Sequence, residues 1–155
     1  NTNLDKSHKQ GLELQNLFIV SPKWSTNVNY AYTNAIIDKE ADNSAFNGKT
    51  NPMTSKHNIT ASVIYGFNDK ANMTLTQKYR SKAFVEEDYL NTSSQKQQAY
   101  NSTNFNFSYN PNDDLEFKFD VENLFKNSYG TWVRADAIYP GNSSRNIKAE
   151  LSYKF

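Results

Sequence analysis

The residues of this chain that could do chemistry are few, and their spacing assembles neither a catalytic nor a metal site. The two histidines, His8 and His57, lack the His-x-x-x-His or Glu-x-x-His spacing of metal-binding helices. Glu86, Glu87 and Asp88 are adjacent, so on an extended chain their side chains point apart, and a solvated charge run is expected. Serine and threonine are plentiful, but no base stands near them in a hydrolase-like pattern. The sequence therefore predicts a protein that is not an enzyme and holds no metal or cofactor.

Cationic and aromatic residues are better suited to contact a ligand than to carry out a reaction. The candidates are Lys78, Arg80, Tyr89, Tyr129, Trp132 and Arg134. Such groups fit an anionic, aromatic chelate, because cations pair with negative oxygens and stack against rings. Charges on a wet face also serve solvation or contact with another part of a protein, so both interpretations stay open.

Extended strands must position these residues, because apolar and polar side chains alternate along most of the chain. The alternation is regular over ten residues, 146–155, of the predicted strand 145–155, with polar side chains on one face and apolar ones on the other. The apolar members are Ile147, Ala149, Leu151, Tyr153 and Phe155. Eleven residues at about 3.3 Å each, tilted by about 45°, cross an apolar layer of about 25 Å. The segment therefore has the length of a strand in a membrane-spanning barrel.

Seven such strands are predicted, joined alternately by short turns and long loops. The strands are 10–20, 24–37, 57–67, 71–84, 100–109, 115–125 and 145–155. The long loops are 38–56, 85–99 and 126–144, and residues 1–9 are predicted to end an earlier loop. Outer-membrane barrels have this asymmetry, with tight turns on one rim and long loops on the other.

Aromatic residues gather near the short turns, as they do in the interfacial girdle of a membrane barrel. They are Trp24, Tyr65, Phe67, Tyr109, Tyr153 and Phe155. A soluble antiparallel sandwich also has short strands and many aromatic residues, so it stays as an alternative. The sorting of connections by length favours the membrane barrel, because a sandwich has no reason to place its long loops at one end.

Composition excludes several other classes of protein. The 155 residues are 37% hydrophobic with a mean hydropathy of −0.83, so no stretch approaches the roughly 18 apolar residues of a membrane-spanning helix. Ten Tyr and ten Phe argue against disorder and fit a sheet with one apolar and one wet face. A net charge of +1 gives no reason to expect nucleic acid, and the lack of cysteine excludes disulfides and thiolate metal sites. Because no initiator methionine or signal peptide precedes Asn1, a mature or truncated chain is expected.

The odd number of strands predicts that the sheet is part of a larger barrel. In an up-and-down meander the first and seventh strands run in the same direction, so they cannot pair antiparallel with each other. Single-chain bacterial barrels have even strand counts. We therefore expect an arc of a larger barrel, whose other strands cover both edges.

A specific signature lies between residues 121 and 155. Val-Glu-Asn-Leu-Phe-Lys-Asn-Ser-Tyr at 121–129 is followed by Tyr-Pro-Gly at 139–141, an arginine at 145 and a terminal aromatic strand. This signature resembles the C-terminal end of TonB-dependent outer-membrane receptors, and residues 9–14 resemble a strand opening of the same family. The residues that carry the terminal resemblance are Asn123, Leu124, Phe125, Tyr139, Pro140, Gly141, Arg145 and Phe155. Without the resemblance, Asn123 is predicted to mark the point where a strand leaves the membrane. Pro140-Gly141 is predicted to form a turn.

The resemblance implies a 22-stranded barrel around an N-terminal plug, of which residues 1–155 would be the last seven strands. It implies a receptor of the bacterial outer membrane that imports scarce ligands with energy relayed through TonB. A ferric siderophore is the first expectation for the ligand, with haem or cobalamin as alternatives. A different outer-membrane channel, adhesin or enzyme barrel also stays open.

The implied partners follow from the same resemblance. They are the plug and the remaining strands of the receptor, TonB through the plug, the barrel-assembly machinery that reads the terminal strand, the ligand, and outer-membrane lipid.

Overall fold

The computed structural model describes residues 5–134, 137–141 and 144–155, and its regular structure is almost entirely extended. The strands are β1 (Lys6–Ile19), β2 (Trp24–Lys39), β3 (His57–Asn68), β4 (Ala71–Arg80), β5 (Ala83–Phe84), β6 (Lys96–Gln97), β7 (Tyr100–Asn112), β8 (Leu115–Glu122), β9 (Gly130–Val133), β10 (Ile138–Pro140) and β11 (Asn146–Tyr153). A 3-10 helix, Ser44–Phe46, interrupts the first long loop. Within the described ranges no helix is long and apolar enough to span a membrane.

Seven of these strands form one antiparallel sheet in the order β1-β2-β3-β4-β7-β8-β11. Each strand pairs with the next long strand along the chain, so the sheet is an up-and-down meander. This confirms the predicted all-β fold and its seven strands. The two outer strands, β1 and β11, each have a neighbour on one side only, so each leaves one row of backbone groups unpaired within the described sheet.

Several predicted boundaries are wrong. Strand β1 begins at Lys6 inside the predicted loop 1–9, because residues 6–9 pair with the end of β2; residues 1–4 lie outside the described part of the chain. Strand β4 ends at Arg80 and not at residue 84, since Ala83–Phe84 pairs with β6 in a separate ribbon. Strand β8 ends at Glu122 and not at residue 125, and the predicted loop 126–144 contains the ribbon formed by β9 and β10.

The sheet has one apolar face and one polar face, because directly opposed residues of an antiparallel pair lie on the same side. On the apolar face Leu75 lies opposite Val63 and Phe105. On the polar face Thr76 lies opposite Ser62, and their hydroxyl oxygens are 2.9 Å apart. The register thus confirms the alternation seen in the sequence.

Large side chains on the apolar face stay exposed. Leu151, for example, is 63% exposed and Leu75 is 45% exposed. Among the described elements none packs over this face, since the long strands contact only their neighbours and the 3-10 helix. A soluble sandwich needs a second sheet to cover its apolar side, so that alternative is wrong. A continuous exposed apolar face of this extent is a surface for lipid or for a partner.

The buried apolar residues that the structure describes lie mostly among the long loops. Ile37, Val85 and Val133 are almost completely buried, each from a different connection or strand end. Backbone hydrogen bonds hold these segments together, such as that from Glu86 N–H to the Val133 carbonyl oxygen at 2.8 Å. The long loops therefore pack against one another at one rim of the sheet, which we call the loop rim; the opposite rim is the turn rim.

Candidate functional site

Two cations stand on the polar face close to the loop rim. Lys78 lies opposite Thr60 and Ser102. It precedes Arg80 by two residues, so both side chains are on the same face of β4. Both side chains are exposed, and within the described ranges neither makes an ion pair or a side-chain hydrogen bond. Both positive charges are therefore available to a ligand or to another part of the protein.

Charged groups on the polar face of the last two strands, β8 and β11, are paired. Lys118 Nζ is 2.8 Å from Glu116 Oε2, and Lys148 Nζ is 2.6 Å from Glu150 Oε2. Asp120 accepts a hydrogen bond of 2.5 Å from the side chain of Asn106 on the neighbouring strand β7. This contrast distinguishes Lys78 and Arg80 from the neutralised wall formed by β8 and β11.

A stacked pair of tyrosines lies beside Arg80. Tyr100 is directly opposite Arg80, and its ring is parallel to that of Tyr129 with centroids 4.4 Å apart. Tyr129 comes from the last long loop, where its carbonyl oxygen accepts a hydrogen bond of 2.9 Å from Gly141. A Cβ atom at Gly141 would lie 2.8 Å from the Tyr129 ring, so glycine lets the chain pass close to that ring. Tyr100 thus connects the two, because it pairs with Arg80 across the strands and stacks on Tyr129.

Sequence reasoning missed Tyr100. The signal for it was its parity: it shares the even-numbered face of β7 with Ser102, Asn104 and Asn106. It was assigned only to the start of a strand, and no local pattern links it to a tyrosine 29 residues later. We refer to Lys78, Arg80, Tyr100 and Tyr129 as the cation–tyrosine cluster.

The remaining three predicted contact residues are engaged inside the loops. The ring of Tyr89 packs on that of Phe46, with the ring centroids 5.3 Å apart. The ring of Trp132 packs on that of Tyr139, with the centroids 5.8 Å apart. Arg134 Nε lies 3.2 Å from Glu86 Oε2, which is buried and has no aligned hydrogen bond, so charge alone holds that oxygen. No contact brings these three side chains to the cation–tyrosine cluster within the part of the chain that the structure describes.

The acidic run at 86–88 is not the solvated segment that the sequence predicts. Asp88 is mostly buried: its carboxylate accepts hydrogen bonds from the backbone of Thr92 and Ser93 and lies 3.5 Å from Lys96 Nζ. With Glu86 paired as above, the run organises the second long loop. No cluster of three or more potential metal-binding residues occurs among the described residues.

His57 does not face the cation–tyrosine cluster. It lies on the apolar face at the loop rim, with its ring close to those of Tyr30 and Tyr32. Its Nδ1 atom is 2.9 Å from the Tyr30 hydroxyl. The side chain is exposed, as expected for a rim residue.

The motif residues at the end of the chain close the last long loop. Asn123 is only 1% exposed, and its carboxamide bonds both the N–H and the carbonyl of Asn127, at 2.9 and 3.0 Å. It also holds a positive φ of 50°, which asparagine tolerates better than most residues. Asn123 directly follows the end of β8, and its buried side chain closes the turn there. That this strand end is also the exit from the membrane stays a prediction. Arg145 donates from Nε and Nη2 to the Leu124 carbonyl oxygen, at 2.9 and 2.6 Å.

The other motif residues take different places. Tyr139 and Pro140 belong to β10, where Pro140 pairs with Gly130, so the predicted Pro-Gly turn is instead the end of a strand. Phe125 is 66% exposed, and Phe155 is fully exposed with its ring edge-on to that of Tyr153.

Comparison with known proteins supports the same architecture. A model of the family described as TonB dependent receptor-like, beta-barrel matches residues 1–124. No curated protein sequence matches the chain significantly. Members of this family are receptors and transporters and not enzymes.

Solved structures share the fold at low sequence identity. The siderophore receptor PiuA from Acinetobacter baumannii has 20% identity and a TM-score of 0.77 over 96% of this chain and 22% of that one. The ferric-catecholate import receptor Fiu from E. coli K12, in its closed form, has 19% identity and a TM-score of 0.75 over 96% of this chain and 21% of that one. The ferric citrate transporter FecA, in its unliganded form, has 24% identity and a TM-score of 0.79 over 96% of this chain and 24% of that one. The chain therefore spans about a fifth to a quarter of the length of these receptors.

The family model covers most of the chain, and the seven-stranded meander superposes on barrel segments of solved receptors. The exposed apolar face and the opposed polar face are those of a barrel wall. This chain belongs to the TonB-dependent receptor family, as a segment of its β-barrel.

Proposed function

We propose that residues 1–155 form the C-terminal part of the barrel of an outer-membrane receptor that binds a ferric siderophore and imports it with TonB-coupled energy. Family membership supports the class of protein and its place in the outer membrane of Gram-negative bacteria. The observation that favours a siderophore is the cation–tyrosine cluster, in which Lys78 and Arg80 keep unpaired charges beside two stacked rings.

The chemistry of the cluster fits an anionic chelate. Ferric complexes of catecholates and related ligands carry net negative charge and present oxygen atoms at their surface. A guanidinium binds two such oxygens side by side, and an ammonium binds one as a point charge. The tyrosine pair adds flat, amphipathic surface that can stack against an aromatic ligand ring.

Haem is the weaker candidate for the ligand. The histidines near the loop rim, His8 and His57, both lie on the apolar face, opposite to the cluster. The Nδ1 atom of His57 is already within hydrogen-bond distance of the Tyr30 hydroxyl, and that of His8 is within hydrogen-bond distance of Asp38. A haem in the lumen would thus have no histidine from this face of the sheet.

The rest of the receptor supplies the neighbours that this sheet needs. The unpaired edges of β1 and β11 run in the same direction, so further strands and not each other must cover them. We include in the proposal a plug on the polar side, TonB acting through that plug, and the barrel-assembly machinery acting on the terminal strand with its exposed Phe155.

The test uses the full receptor in lipid vesicles and the double variant Lys78→Gln/Arg80→Gln. We expect its affinity for a ferric catecholate chelate to fall by about a hundredfold or more, since each of the two lost charge-assisted bonds contributes about 1.5–3 kcal/mol. We also expect a weaker dependence of binding on salt concentration, because screened attraction has been removed. The matched control is Lys23→Gln/Lys154→Gln, which removes two lysine charges near the turn rim.

Unchanged affinity and unchanged salt dependence in the Lys78/Arg80 variant would show that these cations serve plug contact or solvation. Haem is titrated alongside the chelate. If haem binds tightly and the chelate does not, the siderophore assignment is wrong while the receptor class stands.

A further inference from the structure

Gln97 is a buried polar residue of the second long loop and is only 4% exposed. It lies in β6, which pairs with β5 in a two-stranded ribbon outside the seven-stranded sheet. A buried carboxamide is costly unless it is hydrogen-bonded, so the partner of this side chain indicates its role. That partner is the carbonyl oxygen of Gly130, which accepts a hydrogen bond of 3.3 Å from Gln97 Nε2.

This hydrogen bond reaches the residue directly after Tyr129 of the cation–tyrosine cluster. Gly130 begins β9, so the second long loop holds the strand that follows the stacked tyrosine. The loop also holds the other end of β9, where Glu86 N–H donates to the Val133 carbonyl oxygen at 2.8 Å. We call these two hydrogen bonds, from Gln97 and from Glu86, the β9 clamp.

The two ends of the β9 clamp differ in how they are supported. Val85 and Val133 are 1% and 2% exposed, so the second end is buried among apolar side chains. Arg134, directly after β9, also lies 3.2 Å from Glu86 Oε2. At the first residue of β9 the hydrogen bond from Gln97 is the one that joins the second long loop to the last one, among the described residues. This end of the clamp therefore depends on a single side chain.

The chain before Tyr129 is held by other contacts. Asn127 Nδ2 donates to the side-chain oxygen of Asn101 at 2.7 Å, and Gly141 N–H donates to the Tyr129 carbonyl oxygen at 2.9 Å. The next residue, Gly130, lacks a Cβ atom and can adopt more backbone conformations than other residues. The β9 clamp restricts it to one of them, and with it the direction in which the Tyr129 ring leaves the chain.

We propose that Gln97 is a positioning residue for ligand binding, which holds Tyr129 stacked on Tyr100 through the Gly130 carbonyl. The inference rests on the proposed function, because the place of the Tyr129 ring matters to import only if the cation–tyrosine cluster binds the chelate. It assigns the second long loop a part in ligand recognition that needs no contact between that loop and the ligand.

The test places 3-fluorotyrosine at position 129 alone in the full receptor, in detergent micelles, and records its fluorine resonance and the affinity for a ferric catecholate chelate. In wild type the parallel ring of Tyr100, with its centroid 4.4 Å away, shifts the resonance by its ring current, and Tyr100→Leu gives the unstacked position. Gln97→Met keeps the length of the side chain and removes the carboxamide. We expect it to move the resonance toward the unstacked position and to weaken chelate binding by about threefold to tenfold, the effect of one aromatic stack.

Gln98→Met is the matched control. Gln98 is the exposed neighbour, and its carboxamide donates to the Lys96 carbonyl oxygen within its own loop. This variant is expected to leave the resonance and the affinity unchanged. Gln97→Asn is a second variant at the same position, which keeps a carboxamide on a stem shorter by one methylene, and we expect the resonance to move in the same direction. Because β6 lies outside the seven-stranded sheet, the barrel is expected to fold in every variant, and circular dichroism checks this.

Two results would overturn the proposal. One is a fluorine resonance at the wild-type position in both Gln97 variants. The other is an undiminished loss of affinity when Gln97→Met is introduced into a Tyr129→Leu receptor, because a residue that acts through Tyr129 then has no ring to position. A wild-type receptor that binds no ferric chelate would contradict the proposed function instead, and the fluorine resonance would still show whether Gln97 holds Tyr129 in place.

Discussion

Asn123 offers the sharpest structural prediction, because its side chain closes the turn after β8 and its backbone is in the left-handed region. Removing the carboxamide leaves the N–H and the carbonyl of half-buried Asn127 without partners, at about 1 kcal/mol each. Alanine must also adopt a positive φ, which costs about 1 kcal/mol more. We therefore expect Asn123→Ala to lower the free energy of unfolding by about 3 kcal/mol. Asn123→Gly should lower it by about 2 kcal/mol, since glycine accepts the backbone angle.

The assay is urea unfolding of the full receptor in lipid vesicles, combined with hydrogen exchange of the Asn127 amide. The control Asn72→Ala removes an exposed carboxamide from the polar face and should change stability by less than about 0.5 kcal/mol. Faster exchange at Asn127 is expected in both Asn123 variants. If alanine and glycine at position 123 behave like wild type in both measurements, the side chain does not hold the turn.

Three further predictions concern the sheet and its last loop. Phe119→Arg, on the apolar face near mid-strand, should cost about 2–4 kcal/mol in the same unfolding assay. Asn106→Arg, on the polar face next to an aspartate, should cost little; equal losses would mean that the register is wrong. Arg145→Lys keeps the charge but loses one of two bonds to the Leu124 carbonyl oxygen, so a loss of about 1 kcal/mol is expected, and no loss would contradict that role. Gly11→Ala would place a Cβ against a carbonyl oxygen of the facing strand and should cost about 1–3 kcal/mol, whereas an unchanged unfolding midpoint would show that β2 yields freely.

The long strands could be predicted because the two-residue period is a local signal. Every long strand with one apolar and one polar face, such as β4 and β11, can be predicted from the sequence alone. The first residues of β1 were missed since Lys6 to Lys9 are polar on both faces, and only pairing with the end of β2 makes them a strand. The short ribbons were missed for a similar reason: two to four residues hold no period, and their partners are distant along the chain.

The candidate site could be predicted in part. The inward parity of Lys78 and Arg80 follows from strand periodicity, and the structure places both on the polar face. Tyr129 required the path of a long loop, which Gly141 and Arg145 fix through contacts with no sequence period. The burial of Asn123 was likewise beyond a local pattern, because a polar residue after an apolar row indicates exposure unless its hydrogen-bond partners are known.

The apolar face of this sheet is expected to contact lipid and its polar face an aqueous lumen, and both the ligand site and the barrel assignment depend on this arrangement. The most direct measurement places a nitroxide label on single cysteines at Thr74, Leu75 and Thr76 of β4, in the full receptor in vesicles, and records collision with molecular oxygen by electron paramagnetic resonance. Oxygen concentrates in the bilayer, so we expect high accessibility at Leu75 and low accessibility at both neighbours. Equal oxygen accessibility at the three positions would contradict the assignment of the two faces.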